Sequence, residues 1–333
     1  MSMRLRCTAV IVAAVVLLPS GVCAQQAVPQ PVFSEDFAGA SGAAFPAADK
    51  WAISGLLALA VRAQRIGSAS DPVTGKTVGR VTVETGDALD GATPALLEAK
   101  QYVCDGAGSR AGEMESEPGG VAPSERAEFQ VKADRRTGAG EVVKFGVPAW
   151  YRFAFKTAAD WPRDRPLPDR TPCRTAIQQI KQNAVKDGVD CGASPFFKIE
   201  ARPLGDGMRF FAQVTTGPAC TAPHQVSRTQ LCQVELPGET WAIVNVRLVP
   251  AQDAGGRADI WLNGAHCGTY RGPMGDPEYG VRRNGVPFID TQPRFGIYRD
   301  WRAETQTIYF DKIMFWDADP TGHPDWAVGA PPP

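Results

Sequence analysis

Several short stretches of this chain switch between apolar and polar residues with a period of two, and that rhythm limits the fold more than any other feature. In "SERAEFQVK", Ala127, Phe129 and Val131 fall on one side, and Ser124, Arg126, Glu128 and Gln130 on the other. In "WYRFAFK", Tyr151, Phe153 and Phe155 stand against Trp150, Arg152 and Lys156. Successive side chains of a strand point to opposite faces, so each stretch predicts a strand with one face turned to a core. "GRVTVETGD", "FFKIEARPL", "MRFFAQV", "TWAIVNVRLV", "RFGIYRD" and "QTIYFDKIMFWD" are read as strands too. "ADIWLNGAHCGTY" predicts a hairpin with Asn263–Gly264 at its turn. The 34 glycines and 28 prolines punctuate these runs, and no long helices alternate with them. The expected fold is all-β, a β-sandwich of the jelly-roll type.

The chain begins like an exported one. "MSMRLR" is basic, "AVIVAAVVLLP" is an apolar core too short to span a bilayer, and "VCA" before Gln25 is a small-residue cleavage site. Residues 1–24 are therefore expected to be a signal peptide and 25–31 a linker. A single domain would cover 32–318, with a tail over 319–333. The acidic, small-residue stretch 102–123 is read as a loop. A secreted or periplasmic monomer is expected, with no membrane partner after cleavage. Cleavage would remove Arg4 and Arg6 and take the net charge from −1 to −3. So near a balance argues against nucleic acid as the main partner, yet it allows a local basic surface.

Of eight cysteines, Cys7 and Cys23 would leave with the signal. An even remainder in an exported chain points to disulfides, and six cysteines allow about 15 pairings. Two local staples are expected, Cys173–Cys191 and Cys220–Cys232, leaving Cys104 with Cys267. No Cys-x-x-Cys pair and no metal-type histidine spacing is present, so no metal site is expected.

"AIQQIKQ" is ambiguous. Ala176, Ile177, Ile180 and Ala184 recur at helical spacings of three and four. A period of two instead puts Gln179 and Lys181 on one strand face, with Ile177 awkwardly beside them.

Taken in chain order, "SERAE", "QQIK" and "RFGIYRD" resemble the three signature strands of the jelly-roll polysaccharide lyases. In alginate lyases of this architecture these are an R-(S/T)-E strand, a Q-(I/V)-H strand and a YFKxGxY strand. "GRVTVETGD", "WYRFAFKTAADWP", "SPFFKIEARPLGDG", the "WLNG…YRGP" hairpin and "IYFDKIMFWD" extend the likeness over residues 31–318. It is nearest to the heparin lyase I and glucuronan lyase-like group. The resemblance implies a concanavalin A-like jelly roll whose concave sheet binds an acidic polysaccharide. It also implies β-elimination at a 4-linked uronate, with no cofactor. Such a site must offset the substrate carboxylate, remove the C5 proton and protonate the departing O4.

On this resemblance Arg126 and Gln179 neutralise the carboxylate, Glu128 orients Arg126, and Arg294 stands for the family's lysine. Tyr298 matches the family's acid, often also its base. Lys181 stands where alginate lyases have histidine, and Gln292 and Pro293 replace the first residues of the last motif. Either Lys181 is the base, or it is a fixed cation and Tyr298 makes both proton transfers. Tyr270 in "TYRGP" is a candidate for stacking on sugar at the rim of the site, or for packing its own turn. His224, His266 and His323 fit no motif and are read as surface residues. A non-catalytic carbohydrate-binding protein on the same scaffold is the competing reading. A glycoside hydrolase ranks last, because no paired-carboxylate strand is present.

Overall fold

The computed structural model describes residues 27–37, 45–54, 64–85, 87, 124–134, 139–164, 173–183, 185–186, 189–190, 195–218, 226–276, 281–283, 286–288, 290–300, 302 and 304–329. The signal segment and the 102–123 loop lie outside these. In chain order the strands are β1 (Phe33–Glu35), β2 (Trp51–Ser54), β3 (Ile66–Ser70), β4 (Thr77–Val83), β5 (Ser124–Val131), β6 (Ala149–Thr157) and β7 (Thr175–Asn183). There follow β8 (Val185–Lys186), β9 (Val189–Asp190), β10 (Pro195–Leu204), β11 (Gly207–Thr216), β12 (Ser227–Pro237) and β13 (Ala242–Val249). The last are β14 (Arg257–Leu262), β15 (Ala265–Arg271), β16 (Val281–Arg283), β17 (Val286–Phe288), β18 (Asp290–Asp300) and β19 (Gln306–Trp316).

They build a jelly-roll sandwich. One sheet runs β15-β14-β13-β6-β19-β4-β3, with β1 added beside β19; the other runs β12-β11-β10-β7-β18-β5-β2. The alternation seen in the sequence sets which face of each strand is buried. Ala127, Phe129 and Val131 of β5 point inward, as do Phe197, Ile199 and Ala201 of β10. Rings from opposite sheets meet in the middle: Phe153 lies 5.4 Å from Phe295, and Phe129 lies 5.7 Å from Phe310. Each such buried ring stabilises the sandwich by about 2–3 kcal/mol, so these contacts fix how the two sheets face one another. The β14–β15 hairpin turns at Asn263 and Gly264 with φ of 51° and 80°, the paired positive angles that a tight two-residue turn requires.

Residues 175–183 form a strand, and the helical alternative is excluded. A β-bulge resolves the position of Ile177. Against β10 the register passes from Ile199↔Gln178 to Glu200↔Ala176, leaving Ile177 as the extra residue. The added residue reverses the alternation, so Ile177 and Ile180 both reach the core while Gln179 and Lys181 stay on the outer face.

Two expected disulfides are corrected. Cys232 of β12 is bonded to Cys267 of β15, so neither Cys220–Cys232 nor Cys104–Cys267 forms. β12 and β15 are edge strands of different sheets, and the sandwich brings their edges together. Close approach there is visible at Gly268, where a Cβ would stand 2.0 Å from the Leu231 carbonyl oxygen. Cys173 is also disulfide-bonded; Cys104, Cys191 and Cys220 lie outside the described residues. The stretch read as a tail is packed through Gly329. Trp326 rests against Trp261 and Trp316 on the far face of the first sheet, and Trp261 Nε1 donates to the Gly329 carbonyl at 2.8 Å.

Candidate active site

Strand order brings the three motif segments side by side. β18 lies between β5 and β7, so "RFGIYRD" is flanked by "SERAE" and "QQIK". Tyr298 is the direct partner of Arg126 on one side and of Ala176 on the other; Arg294 is the partner of Gln130 and Gln179. Arg126, Glu128, Gln179, Lys181, Arg294 and Tyr298 thus share the face turned away from the core. Pro293, unusual inside a sheet, is tolerated because the register with β5 begins only at Arg294.

Four of these side chains form a continuous chain of contacts. Gln179 Nε2 donates to Glu128 Oε1. The other Glu128 oxygen pairs with Arg126 Nε at 3.2 Å. The Arg126 guanidinium carbon then lies 4.2 Å from the centroid of the Tyr298 ring. Glu128 and Gln179 are almost wholly buried, whereas Tyr298 is partly open to solvent. The contact between Glu128 and Gln179 crosses β18 at Gly296, the register partner of Glu128, which has no side chain to block it. Gly296 adopts φ 139°, and a Cβ there would meet the Ala127 carbonyl oxygen at 2.2 Å.

Arg174 also belongs to this group, although no motif singled it out. It precedes β7, and its guanidinium carbon lies 4.7 Å from the Tyr298 ring centroid. Asp300 holds it, accepting from the Arg174 backbone N–H at 2.9 Å and pairing with Nη2 at 3.0 Å. Tyr298 is therefore flanked by one cation from each neighbouring strand region. The only trace of Arg174 in the sequence is its place just ahead of "TAIQQIKQ"; its role comes from the pairing of distant strands.

Behind the site, on the inward face, Arg299 and Glu125 are register partners and both fully buried. Arg299 Nη2 lies 2.6 Å from Glu125 Oε2. Burial lowers the Arg299 pKa, and the Glu125 carboxylate counters that effect. Breaking one half of such a pair would leave an uncompensated charge costing about 3–5 kcal/mol. The pair therefore pins β5 to β18 next to the Arg126–Tyr298 contact.

The remaining candidates take different places. Lys181 shares the outer face, but its partner on β18 is Gln292, whereas Tyr298 is opposite Ala176. Five residues along β7 separate the two backbones by roughly 17 Å. Arg294 donates through Nη2 to Gln292 Oε1. Tyr270 does not join the site. It stands on β15 in the other sheet, and its hydroxyl donates to the Pro273 carbonyl at 2.6 Å, packing its own turn. His266 bonds Thr269 on the same strand, and His323 caps the backbone of Asp325.

The sequence profile of the family described as "Polysaccharide lyase" matches residues 70–314. The fold is similar to that of an endo-β-1,4-glucuronan lyase from the fungus Trichoderma reesei, with a TM-score of 0.51 at 15% identity, covering 87% of this chain and 99% of that one. A marine alginate lyase from Aplysia kurodai aligns over 86% of this chain and 98% of its own, at 10% identity and a TM-score of 0.44. At such identities the likeness bears on the fold alone. No curated protein sequence matches the chain.

Proposed function

Since the chain belongs to the polysaccharide lyase family, and is thus a lyase enzyme, we propose that it is exported and cleaves a uronate-containing polysaccharide by β-elimination. The observation that carries this reading is the unbroken series Gln179–Glu128–Arg126–Tyr298, with a second cation, Arg174, on the same phenol. Arg126 offers a bidentate fork and Gln179 a neutral donor to the substrate carboxylate, offsetting charge that would otherwise oppose loss of the C5 proton. Glu128 is the positioning residue for both.

Tyr298 is the acid and base in this reading. The phenolate removes the C5 proton, the C4–C5 double bond forms as the C4–O4 bond breaks, and the same proton passes to O4. Positive charge beside the ring offsets the negative charge its oxygen carries during the transfer. Lys181, some 17 Å along the face by strand spacing, is read as a cation for a flanking part of the polymer, not as the base. Export is supported by the signal-like start and by the Cys232–Cys267 disulfide.

The test is incubation of the mature protein with glucuronan, alginate and heparin, following ultraviolet absorbance of the new C4–C5 double bond. Unsaturated product from at least one polymer is expected; none from any polyuronate would overturn the proposal.

A further inference from the structure

The outer face does not end at β7. On β10, the next strand, Lys198, Glu200 and Arg202 alternate outward; Lys198 is the register partner of Gln179, and Glu200 that of Ala176. Glu200 is fully buried between the two cations, 2.6 Å from Lys198 Nζ and 2.5 Å from Arg202 Nε. Burial alone would raise its carboxyl pKa, but Lys198 and Arg202 outweigh that and hold it down at about 2.

This carboxylate fixes the two cations without using up their hydrogen-bonding capacity. Arg202 gives Glu200 only Nε, and its guanidinium lies 4.8 Å over the ring of Phe211 on β11, the register partner of Glu200. The plane of the guanidinium is thereby set from two sides, which prepares its terminal amino groups for a bidentate anion. Arg209 stands directly opposite Arg202 on β11 and pairs with Glu235 at 3.1 Å. Each of these facing arginines has its own carboxylate, so two cations stand side by side on this part of the outer face.

We propose that Arg202, held by Glu200 and Phe211 and assisted by Lys198, is a distal subsite for the carboxylate of a second uronate on the same polymer chain. β10 lies two strands from β18, about 10 Å at the usual strand spacing. A chain laid across the strands would therefore reach Arg202 only with sugars beyond those at Tyr298. The inference rests on the polyuronate reading above and adds to it an extended, charge-specific binding track.

The experiment compares wild type with Arg202→Gln on uronate oligomers of increasing length. The variant's relative kcat/KM should fall with length, ending about tenfold lower on long oligomers than on the shortest substrate, as for one lost charge-assisted contact. Arg202→Lys should recover part of the loss, since it keeps the charge but not the fork. A loss equal at every length, or no loss, overturns the subsite. If wild type makes no unsaturated product, the lyase reading has failed instead. Calorimetric binding of the long oligomer then decides the subsite: weaker binding by Arg202→Gln supports it, and equal binding overturns it.

Discussion

Arg126 and Tyr298 are direct register partners on β5 and β18, and the guanidinium of the first lies 4.2 Å from the ring centroid of the second. In the proposed reaction this phenol transfers the proton beside the guanidinium that binds the substrate carboxylate. Tyr298→Phe keeps the ring and its contacts but removes the transferable proton. It should lower kcat by about a thousandfold while leaving oligouronate affinity nearly unchanged, as measured by product absorbance and calorimetry. Lys181→Ala should retain turnover and change mainly KM; its full inactivation would make the lysine the base.

Arg174 is the cation that no motif announced. Arg174→Ala should lower kcat about tenfold, a charge-assisted contribution of roughly 1.4 kcal/mol to the transition state. Arg174→Lys should retain part of it. Asp300→Asn weakens the hold on the same guanidinium and should move kcat the same way by less. A change confined to KM would mean that Arg174 only binds substrate.

Gly296 adopts a conformation that other residues rarely take, with the Ala127 carbonyl oxygen 2.2 Å from where a Cβ would sit. Gly296→Ala should destabilise the protein by about 2–3 kcal/mol. It should also lower activity, because Glu128 and Gln179 meet across this residue. Urea unfolding and initial rates measure the two effects separately.

Glu200 gives a pH signature. Its folded-state value, about 2, lies below the ordinary 4.5. The stabilisation is therefore fully present above about 4.5 and is lost as the pH falls toward 2. Glu200→Gln should cost about 3 kcal/mol at neutral pH, and the gap to wild type should narrow as the solution is acidified. Urea unfolding of both proteins across that range would show it.

The strands themselves were legible, because alternation in "SERAEFQVK" or "FFKIEARPL" is a local signal. "AIQQIKQ" was not, and the bulge explains why. One extra residue sets Ile177 three positions from Ile180, a spacing that imitates a helix. The neighbours of each strand were harder still. Nothing local says that β18 inserts between β5 and β7; the motifs, read through a family resemblance, put the three segments on one sheet without giving their order. Arg174 and Arg202 were missed for that reason, since each acquires its place from a strand remote in sequence. The pairings expected for Cys232 and Cys267 failed in the same way. Local staples were expected, whereas Cys232 and Cys267 meet only because two sheet edges come together.

Ile177 reaches the interior by residue count, not by its identity. Exchanging it for valine or leucine leaves Gln179 and Lys181 facing outward. Deleting it would remove the bulge and leave Ala176 and Arg174 on the same side as Gln179, but the core would lose the side chain that the extra residue supplies. Among descendants of this gene, the position should therefore drift freely between aliphatic residues and resist gaps.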